Sequence, residues 1–255
     1  MPYTHHSHSG QFCNHASDTL EEVVQKAVAS GMTTMVLTEH VARDKQDLYP
    51  GEEIHPHYLY GLEKLFDDYY HEAIRLQSKY KNEIAILIGF EGEWIRPESL
   101  DIIQSVIARH KIDLFIGSVH HVHTIPIDFD DATYQQAREV SGGTDEKLFA
   151  DYFDSQYDML QKLQPPIVGH LDLIRLKSDD PDRPWTSMPS VWAKIRRNLE
   201  YIAEYGGVLE INTSALRKGL QQPYPRAEIC EVSCISWDDP DGTRMLTLGF
   251  RCSWR

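Results

Sequence analysis

The chain has 255 residues, 41% of them hydrophobic, and a formal net charge of −14, which is enough apolar material to bury a full core in one α/β domain of ordinary size. The negative charge is spread along the chain with no long basic run, which argues against nucleic acid as a partner, because a polyanion would be repelled. No stretch reaches the roughly 18 consecutive apolar residues of a membrane span, and MPYTHHSHSG lacks the regions of a signal peptide, so a cytoplasmic protein with no membrane partner is expected.

In chain order, short apolar runs alternate with amphipathic helical stretches, the pattern of βα units around a parallel sheet. A short strand at residues 2–4 runs into His6 and His8, and CNH follows with His15. The first helix is expected over residues 19–30, with Asp18 as cap and Glu21 at the third position of a capping box. Leu20, Val23, Val24, Ala27 and Val28 form its apolar stripe, and Gly31 stops it. Strands are expected at 33–38, 84–90, 112–119, 166–169 and 207–211, with helices over 62–80, 98–110, 146–163 and 191–205 between them. After these strands come Glu39 and His40, then Glu91, His120, His170 and Asn212. In a parallel barrel all strand C-termini open on one face, where catalytic groups collect. Residues as far apart as His6 and His170 are therefore expected to converge.

All thirteen histidines lie at or before His170. In His6-Ser7-His8 the two imidazoles share one side of an extended backbone, so a single ion can take both. Imidazole with carboxylate suits zinc, iron or manganese. The candidate ligands are His6, His8, His15, His40, Glu91, His120 and His170, too many for one tetrahedral ion, with Glu91 the natural bridge between two. Paired ions activate a shared water and offset charge on phosphoryl oxygens, so phosphate ester hydrolysis is the expected reaction, with Glu91, His40 and His120 at its centre. On the substrate side, LEINTSALRKGL offers Asn212, Arg217 and Lys218, and GHLDLIR offers Arg175; arginine's planar fork suits phosphate. A solvated basic turn is the competing reading of the RKG segment. His5, His55, His57, His71, His110 and His123 have no strand-end position and are expected to be exposed or structural, while the place of His121 stays open. Cysteines 13, 230, 234 and 252 form no CxxC pair and are expected to be reduced thiols.

HHSHSG with CNH, then VLTEH, GFEGEW, GSVHH, GHLDLIR and EINTSALRKG, together resemble the successive motifs of histidinol-phosphatases of the PHP (polymerase and histidinol phosphatase) family. The resemblance implies a distorted (βα)7 TIM-like barrel with up to three divalent metal ions, zinc, iron or manganese. It also implies hydrolysis of L-histidinol phosphate to L-histidinol and phosphate in histidine biosynthesis. Carried over, it makes metal ligands of His6, His8, His15, His40, Glu91, His120 and His170, and brings Arg217, with Arg175 and Lys218, to the phosphate. The chain departs from the family at its end: the expected Asp-x-His motif is missing, since no histidine follows His170. Asp238 and Asp239 in WDDPDG read as a turn. A PHP phosphoesterase domain over 1–230 and an atypical tail over 231–255, without a normal last strand, are expected; a shifted reading frame or mis-splicing would produce such a join. Another PHP phosphoesterase, or a truncated and catalytically impaired relative, are the alternatives to an active histidinol-phosphatase.

Overall fold

The computed structural model describes residues 3–235 and 248–251, with side chains over 3–232. Asp238 and Asp239 lie outside the described residues. The described chain divides into two compact units, 3–93 with 98–116 and 250–251, and 94–97 with 117–235 and 248–249.

The first unit contains β1 (Tyr3–Thr4), α1 (Leu20–Ala29), β2 (Thr34–Leu37), α2 (Pro56–Tyr60), α3 (Leu62–Lys79), β3 (Ala85–Glu93), α4 (Ser99–Arg109) and the start of β4 (Leu114–Ser118). β1, β2 and β3 run parallel, with Tyr3 opposite Thr34 and Thr34 opposite Ala85. Met35, Val36 and Leu37 are buried in succession on β2, which is how a parallel strand covered on both faces reads, while on β3 the alternate residues Ile86, Ile88 and Phe90 are buried and continuous burial begins at Ile88. Helices supply the cover through residues at helical spacing: Leu20, Val24 and Ala27 on α1, and Phe66, Tyr69, Ala73 and Leu76 on α3.

Most boundaries shift by a residue or two from the sequence expectation, Asn212 falling inside the strand Val208–Asn212 and not after it, and two further shifts have a local cause. Thr19, not Asp18, caps α1: its side chain accepts from the Glu22 amide, and Glu22, not Glu21, returns the capping-box bond to the Thr19 amide at 2.8 Å. Leu20 is already helical and fully buried, so the cap falls on the residue just before it. β3 continues past Phe90 to Glu93, because a parallel bridge joins Glu91 to His40: the Glu91 amide donates to Glu39 O at 2.9 Å and Val41 N to Glu91 O at 3.1 Å. Glu91 therefore sits inside a strand rather than after it.

The second unit contains a two-residue hairpin of β5 (His121–Val122) and β6 (Ile125–Pro126), α5 (Asp131–Val140), α6 (Asp145–Leu163), β7 (Ile167–Val168), α7 (Pro189–Glu204), β8 (Val208–Asn212), α8 (Ser214–Arg217) and α9 (Ala227–Ile235). β7 and β8 are parallel, and Gly169 N donates to Gly117 O on β4 at 3.0 Å. α6 packs on α7, burying Phe153, Met159 and Leu160 with Ile195 and Leu199. The hairpin and α5 escaped the reading by period, since α5 buries only Tyr134 and Ala137. In the tail, the described residues form β9 (Leu248–Arg251). Among the described residues no helix is long and apolar enough to cross a membrane.

Candidate metal centre

In the first unit the chain leaves β1 extended and lies along the end of β2. Ser7 is the pin: its amide donates to Thr38 Oγ1 at 2.9 Å and its hydroxyl to Val36 O at 3.1 Å. With Ser7 turned to β2, alternation sends His6 and His8 to the other side, where their Nε2 atoms stand 3.0 Å apart. Glu91 Oε2 lies 3.1 Å from each of those nitrogens and 3.4 Å from His40 Nδ1. The His8 and His40 rings stack with centroids 4.3 Å apart. After Gly10 the chain makes a loop that returns at Asp18, whose carbonyl accepts from the Gly10 amide at 2.7 Å. A Cβ on Gly10 would stand 2.7 Å from Ala16 O, so this closure needs glycine. The loop carries His15 to within 5.3 Å of His8 and 5.2 Å of His40, ring to ring.

Five of the seven expected ligands, His6, His8, His15, His40 and Glu91, thus come together in one cluster. His6 and Glu91 are buried, His8 and His40 half-buried and His15 exposed, so one side of the cluster is open to solvent. The other two meet each other in the second unit, His120 and His170 Nε2 being 3.2 Å apart and both residues buried. His170 has φ of 22°, a conformation that costs a residue with a Cβ about 1–3 kcal/mol and is found where a site requires it. Its amide donates to the buried Glu210 carboxylate on β8 at 2.8 Å.

The donor set fits divalent metal. Ligand atoms of a tetrahedral ion with 2.0–2.1 Å bonds stand about 3.3 Å apart, close to the 3.0–3.1 Å spacing of the two imidazoles and Glu91. His6, His8 and Glu91 form one candidate ligand group, and His8, Cys13, His15 and His40 another. His8 Nδ1 and Glu39 Oε2 are buried without hydrogen-bond partners, 3.6 Å apart. Burial works against the charged form of His8, but the Glu39 and Glu91 carboxylates outweigh it and raise its pKa to about 9. Burial, then the neighbouring His8, holds His40 well below the usual histidine range. A metal-free cluster therefore stores a proton between His8 and its carboxylates, in the place a cation would take.

The substrate-side candidates separate. Arg217 and Lys218 are exposed at the end of α8. Asn212 is buried on β8, its Oδ1 accepting from Ser214 N at 2.9 Å while Nδ2 has no hydrogen-bond partner. Arg175 is buried with its fork engaged: Nη2 donates to Gln222 O and Pro223 O, both at 2.8 Å, and Nε stands 3.2 Å from Asp172. That is the setting of a structural arginine.

His110 pairs with Asp67 and His123 with Asp151, each at 2.8 Å, in line with structural roles. His5 and His121 are buried, the latter at the start of β5. Three participants went unread in the sequence. Glu39 accepts from Ser9 N and Oγ at 2.5 and 2.9 Å and faces His8; its signal was adjacency to His40. Glu210, in LEIN, supports His170 and has an apolar neighbour on each side. Cys13 Sγ stands 3.1 Å from His15 Nδ1, and a search for CxxC pairs passes over it.

The model of the PHP domain family matches residues 4–214. A Schizosaccharomyces pombe protein named "Probable histidinol-phosphatase" is 47% identical over 236 residues, covering 91% of this chain and 76% of its own. A Saccharomyces cerevisiae protein named "Histidinol-phosphatase" is 32% identical, covering 90% of this chain and 78% of its own. The crystal structure of the Listeria monocytogenes hisK protein superposes with a TM-score of 0.80 at 20% identity, covering 98% of this chain and 94% of that one, and has the same α/β fold.

Proposed function

The chain belongs to the PHP domain family, and from that premise we propose that it is a metal-dependent histidinol-phosphatase, hydrolysing L-histidinol phosphate to L-histidinol and phosphate in histidine biosynthesis. The carrying observation is the convergence of His6, His8, His15, His40 and Glu91 on one cluster, in a chain whose fungal relatives bear that enzyme's name. Proposed ligands are those five with His120 and His170, and zinc, iron or manganese suits them, up to three ions in all. Such ions supply Lewis acidity for phosphoryl oxygens and an acidified water.

The protein's own part is to place the donors. Glu91 draws three imidazoles to one oxygen. Glu39, held by Ser9, lies 3.6 Å from His8 Nδ1, while His8 Nε2 is the ring nitrogen turned to His6 and Glu91. Arg217, exposed beside β8, is proposed to meet the phosphate, with Lys218 adding positive charge and Asn212 a buried amide. Arg175 shapes this region rather than binding substrate, since backbone carbonyls already take its donors. The cytoplasm is the proposed place of action.

Phosphate release from L-histidinol phosphate by the purified chain tests the proposal. Activity should vanish on chelation and return with zinc or manganese, and Arg217→Ala should raise KM about tenfold or more with bound metal unchanged, because a charge-assisted contact contributes about 1.5–3 kcal/mol. A chain that binds metal but releases no phosphate from this substrate would refute the activity. Unaltered kinetics for Arg217→Ala would leave that residue on a solvated turn.

A further inference from the structure

Two candidate ligand groups in the first unit share His8. An imidazole nitrogen has one lone pair and so serves one ion at a time. His8 Nε2 is 3.0 Å from His6 Nε2 and 3.1 Å from Glu91 Oε2, so it belongs to the His6–His8–Glu91 ion, while its Nδ1 faces Glu39. The neighbouring group is then left with His15, His40 and the sulfur of Cys13. Two imidazoles alone make a poor site, because structural and catalytic zinc centres use three or four protein ligands.

Cys13 is buried at 6% exposure, and its Sγ lies 3.1 and 3.2 Å from the two ring nitrogens of His15. Sγ belongs with His8, His15 and His40 to a set whose ligand atoms all fall within 4.8 Å of one another. The backbone holds it there, the Cys13 amide donating to Ser9 O at 2.9 Å inside the loop that Gly10 closes.

We infer that Cys13 is a metal ligand, its thiolate joining His15 and His40 on a second ion beside the one held by His6, His8 and Glu91. The inference rests on the metal-dependent reading above. As the metal–sulfur bond forms, the thiol proton leaves to solvent, and sulfur and metal keep their oxidation states. A soft thiolate biases this position toward zinc or cobalt(II) and away from manganese.

The full chain, stripped by chelator and titrated with cobalt(II), provides the test. A near-ultraviolet thiolate-to-cobalt charge-transfer band is expected in the unmodified chain and in one with Cys230, Cys234 and Cys252 all changed to Ser. Cys13→Ser should lose the band and about one cobalt per chain. In the unmodified protein, where no substitution can disturb folding, X-ray absorption at the cobalt edge should show one sulfur ligand per chain. A band that persists in Cys13→Ser, or a cobalt spectrum with no sulfur ligand, would overturn the inference. If cobalt binds and phosphate is released but no band appears, the thiolate ligand alone fails; if no cobalt binds, the metal-dependent reading falls with it.

Discussion

Glu91 and Glu93 are two residues apart on β3 and share a face, yet they meet different partners. Glu91 Oε2 faces three imidazoles, whereas Glu93 accepts from Arg43 Nη1 at 2.7 Å and from Tyr49 at 3.3 Å. Arg43 also pairs with Glu52 at 2.5 Å, so Glu93 ties the loop after β2 to the sheet. Glu91→Gln should therefore lower bound metal by about one ion per chain, since an amide lacks the negative charge that would hold a cation among these imidazoles. Glu93→Gln should keep its metal and instead lose about 1.5–3 kcal/mol of stability, the range for a hydrogen bond to a charged group. Elemental analysis with urea unfolding of both variants checks this; equal metal loss would mean that the wrong carboxylate was assigned.

At the level of elements, β3 approaches β4 so closely that a side chain at position 89 has no room. A Cβ on Gly89 would stand 2.5 Å from Leu114 O. The contact is with backbone, which cannot swing aside, and the next turn of the ladder is anchored where Asp113 N donates to Ile88 O at 2.8 Å. Gly89→Ala is expected to cost at least about 1–3 kcal/mol, as overpacking does, and to shift β3, which carries Glu91. A lower urea midpoint together with weaker metal binding is the expected outcome. An unchanged midpoint would mean that the strands separate more easily than their hydrogen bonds suggest.

For the whole molecule, the cluster of His8, Glu39 and Glu91 couples stability to pH. The His8 pKa in the folded, metal-free chain is about 9, above its ordinary value of 6.5. A group raised on folding contributes stability that is complete below about pH 6.5 and disappears as pH climbs through about 9. The metal-free chain should thus lose stability across this window, whereas the loaded chain should hold or gain, because the cation requires His8 unprotonated. Urea midpoints from pH 6.5 to 9, with and without chelator, measure the effect, and His8→Gln should remove the slope from the metal-free series. A metal-free slope identical in His8→Gln would assign the pH dependence to other groups.

The strand–helix alternation and the candidate ligands His6, His8, His15, His40 and Glu91 are legible in the sequence, because each is written locally. Apolar runs mark strands, i, i+2 spacing puts His6 and His8 on one side, and a ligand type stands at or near each strand end. Tertiary structure decided what depends on residues distant in the chain. It extended β3 through the His40–Glu91 bridge, put Glu39 behind His8, engaged Arg175 with the carbonyls of Gln222 and Pro223, and brought Cys13 beside His15 by closing a loop at Gly10. None of these has a periodic signal. A hydrogen bond or a metal ligand is specified by two or more segments at once, and a single stretch of sequence shows only one side of it.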